Sequence, residues 1–447
     1  MTSTHTEQSQ DAVAGDDRVR LSLRTSTTWF LERPFPVQIL FWFVAIVLLK
    51  HWNLFEPPVW DSAMGVFPPA IYLYETNFDI RALLQQTSWM EGGPNVHSLS
   101  LLTWVLAMVM KLTNSPQATF LILHLLIYAA FAWALQGFTV VLRSYGLASR
   151  TVVVAAAFLL LIPMVLVQVG ALYTETLVLC TGIGAWVCWR RGTPGLAVLW
   201  CVIGIFWKLT AVPVAALVGA ALLCSGRHDN GRKILLILAL PVALWVNLSL
   251  PGWLGATPQA VHDWGEPEKL MRKFQIRMQV VPDVRWLIRL ALLSGIGYLV
   301  VRVWRERKLG VITRSDPDSR SRLICLAMPF VFMAGVLAMI HSNALFLSRY
   351  LLPVLPFAIG SVLLFASQLR GARLRGETVA CVLFAGACLY SAANYNGRFY
   401  GADKHTFSVV ERSHAYRDFL AMQVEAIGAL SEKPDEIPAF VSREIDY

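Results

Sequence analysis

Runs of about twenty apolar residues recur along this chain, and that length matches the hydrocarbon thickness of a bilayer crossed by an α-helix. The chain has 447 residues, of which 56% are hydrophobic and 15% charged, with a mean hydropathy of +0.54. A soluble core of this size has no need of so many bilayer-length segments. The expected fold class is therefore an all-α polytopic membrane protein. Its expected spans are 35–54, 117–142, 151–169, 171–189, 195–206, 208–223, 233–250, 285–304, 322–340, 350–369 and 377–393, about 11 in all. No cleavable signal sequence is evident. A polar start and four arginines precede residues 37–49, which read as an uncleaved signal anchor.

Net charge is +9, but the basic residues fall in short blocks between apolar runs. That pattern suits topology marking better than binding to nucleic acid. With the N-terminus cytoplasmic, Arg143 and Arg150, Arg190 and Arg191, and the blocks at 227–233, 302–322 and 370–375 all fall on the cytoplasmic side. Three regions follow: a cytoplasmic tail (1–34), a transmembrane domain (35–393) whose first outer loop is 55–116, and a small C-terminal periplasmic tail or cap (394–447). The seven cysteines are scattered without a CxxC pair, so neither a metal knuckle nor a disulfide scaffold is expected.

Two places strain this scheme. Residues 98–113 are apolar enough to cross, yet a crossing there would invert every later basic block; a re-entrant or interfacial helix within the first outer loop fits better. Residues 195–223 must cross and return within a short length. Two short crossings joined near Trp207, Lys208 and Thr210 achieve this and place the ammonium near the outer face. One long tilted span with a buried Lys208 is the alternative.

The polar residues then gather on one side. Asp61, shortly after the first apolar run, is a candidate to accept a proton from an acceptor hydroxyl or to hold a divalent ion, with a helix cap as the plain alternative. Glu175 sits in a short break between two apolar runs, where a buried carboxylate is costly unless paired or hydrated. It is a second acidic candidate or, equally, a capping residue. Arg349 and Tyr350 follow the turn at His341; the arginine's planar donors and the imidazole suit a phosphate, although arginines near helix ends also snorkel to headgroups. Lys208 is a further phosphate candidate. His97 closes a glycine-proline turn that could line a pocket.

At these residues the chain resembles the GT-C superfamily of integral-membrane glycosyltransferases, in particular the group of bacterial protein O-mannosyltransferases and lipid A aminoarabinose transferases. Asp61 matches the acidic residue of the first outer loop, and residues 93–99 loosely match the following turn and helix. Lys208 at the end of 195–209 and Arg349-Tyr350-Leu351-Leu352-Pro353 match later motifs, while Ser62 and the missing lysine-proline-proline turn depart from the pattern. The resemblance implies a GT-C-like bundle with interfacial helices in the first outer loop, in the bacterial inner membrane. It implies transfer of a sugar from a polyprenyl-phosphate donor to a lipid, glycan or protein acceptor on the periplasmic face. In this enzyme Asp61 and Glu175 would be catalytic and would be the ligands of any Mg or Mn ion. Lys208, His341, Arg349, Tyr350 and His97 would bind substrate. A lipid or solute transporter, or a noncatalytic scaffold for envelope assembly, are the competing expectations.

Overall fold

The computed structural model describes residues 30, 32–55, 66–80, 83, 100–223, 230–253, 282–309, 326–328, 330–331, 348–367 and 378–386. Asp61, His97, His341 and the tail 394–447 lie outside them.

The described residues form helices and turns. α1 (Phe35–Lys50) continues into a 3-10 turn at His51–Asn53. α2 (Phe67–Glu75) and α3 (Leu101–Thr113) follow. The long α4 (Pro116–Ser144) leads to α5 (Ser149–Leu161) and α6 (Pro163–Gly170). α7 (Thr174–Arg190) and α8 (Pro194–Trp207) make a hairpin. Beyond a 3-10 turn at Leu209–Ala211 come α9 (Val212–Leu223), α10 (Asn230–Trp253) and α11 (Pro282–Leu309). A 3-10 helix at Ser348–Val354 runs into α12 (Leu355–Ala366).

Local chemistry explains where these helices start and stop. Proline occupies the first turn of α1, α2, α4, α6, α8 and α12, where its missing N–H costs nothing and its fixed φ suits the helix. Ser100 and Ser115 cap α3 and α4 through hydroxyls that accept from Leu102 and Ala118 N–H groups. α3 ends at Asn114 in the left-handed conformation, φ 49°, which asparagine tolerates better than most residues.

Side-chain contacts fix the helix directions. Gln136 donates to Gln38 and the Tyr128 hydroxyl donates to the Lys50 carbonyl, so α1 and α4 are antiparallel. His124 meets the Gly170 carbonyl and Arg190 donates to Ser144, so α4 and α7 run parallel. α8 returns antiparallel against α7, where Gly184 lies under Trp200. A Cβ on Gly184 would stand 2.8 Å from the Trp200 ring, and the bare glycine leaves room for Trp200 to stack on Trp133 with centroids 5.0 Å apart. Trp186, fully enclosed, stacks on Phe357 of α12 at 4.6 Å, joining that helix to the same core.

The bundle therefore has two chemically different ends. One carries Arg33, Arg143, Arg190 and Arg191; the other carries Lys50, Asn53, Ser100, Glu175 and Lys208.

The expectation of about 11 spans is overturned. Among the described residues two helices are long and apolar enough to cross a membrane, Phe35–Asn53 and Pro116–Ser144; a third exists only if Ser149–Leu161 and Met164–Gly170, bent by 64°, count as one span. Backbone breaks are the physical reason at three of the runs. The run 151–169 is interrupted at Ile162-Pro163. The run 208–223 begins with an extended Lys208 and a 3-10 turn, which leaves 12 residues of α-helix. The run 350–369 opens as a 3-10 helix containing Pro353 and then holds a 12-residue helix. Such segments fall short of the ~20 residues that a perpendicular crossing requires. A multi-pass inner-membrane topology of the expected kind is corrected with them. Large apolar side chains do remain exposed on α1, among them Leu40, Phe41 and Leu48, and on α4 at Ile122 and Leu126, where lipid would cover them.

Candidate functional site

The polar end of the bundle is assembled from helix breaks. α7 starts at Thr174 after a turn in which Leu172 takes φ 55°, a left-handed conformation costing a non-glycine residue about 1–2 kcal/mol. Glu175 is in the first turn of α7 and 0% exposed. The partial positive charge of the helix start favours a carboxylate there. α8 ends at Trp207, and Lys208 swings into an extended conformation, φ −168° and ψ 147°, that breaks the helix and throws its side chain toward α7.

The two charges meet. Lys208 Nζ donates to Glu175 Oε1 at 2.6 Å, and the Thr174 hydroxyl donates to Glu175 Oε2 at 3.2 Å. The ammonium also lies 4.8 Å from the Tyr350 ring centroid, a cation–π contact supplied by the 3-10 helix at 348–354. The Lys208 side chain is 10% exposed, so it is the member of the pair that solvent or a ligand reaches. Its backbone is held as well: the Lys208 N–H donates to Gly204 O at 3.0 Å and its carbonyl accepts from Ala211 N–H at 3.1 Å. Ser100, while capping α3, donates its own hydroxyl proton to the Trp207 carbonyl at 3.0 Å.

Hydrogen-bonding capacity is left over in α7, in the 3-10 turn after Lys208 and in α6. The hydroxyls of Thr176 and Thr210 and both amide atoms of Gln168 are buried without a hydrogen-bond partner among the described residues. Such groups are costly to bury unmatched.

A second polar cluster lies on the other side of the α6–α7 turn. Lys50, fully buried at the end of α1, packs directly on Gly170, where an added Cβ would stand 2.5 Å from Lys50 Cε and 2.9 Å from Asn53 Oδ1. Glycine is the residue that lets the lysine pass. His124 completes the cluster, its Nδ1 2.8 Å from Phe120 O and its Nε2 3.1 Å from Gly170 O. Both partners are acceptors, and a neutral ring donates to one of them.

Of the residues singled out from sequence, Glu175, Lys208 and Tyr350 come together. Arg349 belongs to the same 3-10 helix as Tyr350. Lys50, Asn53, His124, Gln168 and Ser100 were missed; a lysine and a histidine inside apolar runs were the available signal. Among the described residues no group of three or more His, Cys, Asp or Glu side chains could hold an ion; Asp61, the other residue weighed as a metal ligand, lies outside them. Glu175 has a lysine beside it instead.

Comparison with known families, curated proteins and solved structures finds no match to this chain. The resemblance to the GT-C superfamily is thereby overturned, since neither relatives nor the number of spanning helices supports it. The expected glycosyltransferase activity and the competing many-span transporter and envelope scaffold fall with the architecture they presupposed.

Proposed function

We propose that this protein is a membrane-associated, all-α binding protein that holds an anionic amphiphile, with the ligand's phosphate or carboxylate oxygens on Lys208. The observation that carries this reading is the partial exposure of one ammonium beside a fully buried carboxylate. A lysine has three N–H donors, and Glu175 accepts through Oε1. An anionic oxygen arriving from the exposed side would take another donor and share the charge with Glu175. The hydroxyls of Thr176 and Thr210 and the amide of Gln168, buried at the same end of the bundle, hold further unmatched neutral donors. Apolar side chains exposed on α1 and α4 suit the hydrocarbon part of such a ligand.

The test is retention of phosphatidate against diacylglycerol by the purified full chain in mixed micelles, with inorganic phosphate as competitor. Phosphatidate binding is expected to be preferred, lost in Lys208→Gln, retained in Lys208→Arg and strengthened in Glu175→Gln, which removes the competing anion. Displacement by millimolar inorganic phosphate would assign the site to a free anion rather than a headgroup. Equal retention of both lipids, or loss in Glu175→Gln with retention in Lys208→Gln, would refute the reading and leave a structural ion pair.

A further inference from the structure

The opposite end of the bundle carries a different chemistry. Arg33 precedes α1, Arg143 is in the last turn of α4, Arg150 in the first turn of α5, and Arg190 and Arg191 close α7. Arg33, Arg143, Arg150 and Arg191 are exposed. Glu32 is the sequence neighbour of Arg33. The corner is braced rather than loose: Arg190 donates from Nε to the Ser144 hydroxyl and from Nη2 to the Ser144 carbonyl, both at 2.7 Å. Its guanidinium also lies 4.6 Å from the Tyr145 ring centroid, and the Tyr145 hydroxyl accepts from Trp186 Nε1. This bracing ties the end of α7 to the α4–α5 corner, so Arg143, Arg150 and Arg191 share one surface.

Both helices of spanning length reach this surface, α1 by its start and α4 by its end. Wherever those helices leave the hydrocarbon, the arginines stand at the level of the headgroups.

We infer that the face formed by Arg33, Arg143, Arg150 and Arg191 binds the phosphates of anionic phospholipids and makes this end of the bundle selective for an anionic leaflet. Guanidinium presents paired donors that match phosphate oxygens. A basic residue near an anionic surface strengthens attachment by about fivefold. The inference stands apart from the Lys208 site, which lies at the other end.

The experiment uses the full chain in nanodiscs of phosphatidylcholine doped with spin-labelled phosphatidylglycerol or spin-labelled phosphatidylcholine, reading the immobilised fraction of each. The expected result is a preference for phosphatidylglycerol of fivefold or more that falls as salt rises. The triple variant Arg143→Gln/Arg150→Gln/Arg191→Gln should abolish it, while the corresponding triple Arg→Lys variant should keep most of it. Unchanged helical circular dichroism and unchanged discrimination of phosphatidate from diacylglycerol would show that the bundle is intact. No preference in the native chain, or the same preference in the Gln triple, would overturn the inference. So would a preference displaced by equimolar single-stranded DNA, which would reassign the face to a soluble polyanion.

Discussion

Replacing Lys208 with methionine removes a 2.6 Å charge-assisted hydrogen bond and a ring contact, and leaves Glu175 in a site with 0% exposure. Breaking a buried pair from one side costs about 3–5 kcal/mol. Because the Lys208 side chain keeps 10% exposure, the lower part of that range, about 3 kcal/mol, is the better expectation. Glu175→Gln is milder: the amide fits the same space and the ammonium retains Tyr350 and its exposed side, so a loss of about 2 kcal/mol follows from one hydrogen bond to a charged group. Independent sites would then give a double variant near 5 kcal/mol. Physically the double variant has no charge left to strand, only a neutral amide short of a donor, at about 2 kcal/mol. The expected coupling is therefore about 3 kcal/mol, at the upper end for groups in contact. SDS titration of the four proteins in mixed micelles, followed by circular dichroism, measures the cycle. Additivity within about 0.5 kcal/mol would show that the two charges do not depend on each other and would refute the reasoning.

Two further outcomes follow from close contacts elsewhere at the polar end. Gly170→Ala places a Cβ 2.5 Å from Lys50 Cε, and should destabilise by about 1–3 kcal/mol as the lysine is displaced; a matched Lys50→Ala/Gly170→Ala protein should recover part of it in the same titration. Ser100→Ala removes both the cap of α3 and the proton held by the Trp207 carbonyl; a loss of about 1 kcal/mol is expected, with faster amide hydrogen exchange at residues 101–103 than in the unaltered chain.

The helical class could be read from the sequence. So could the break at Lys208, since a lysine between two short apolar runs is best accommodated where a helix ends and its ammonium can reach a partner or water. Spans were overcounted because hydropathy averages side chains and is blind to the backbone. The run 208–223 is apolar beyond Thr210, but φ and ψ at Lys208 shorten its helix. The pairing of Glu175 with Lys208 was hidden for a different reason: the partners are 33 residues apart, and close contacts such as Gly184 on Trp200 and Gly204 on Thr181 set how the two helices are offset. Lys50 and His124 went unread because each sits alone in an apolar run, and the chain segment that receives both, around Gly170, carries no charge to announce it.

The placement of that pair on two successive helices has a consequence for assembly. Rotating α7 by one residue turns Glu175 about 100° around the helix axis, away from Lys208, and strands both groups in an apolar interior. A slip of that kind between α7 and α8 would also bring a residue with a Cβ under Trp200 in place of Gly184. The ion pair and the close glycine contacts penalise the same error, one by stranding charge and the other by overlap, so the hairpin is keyed twice to a single alignment.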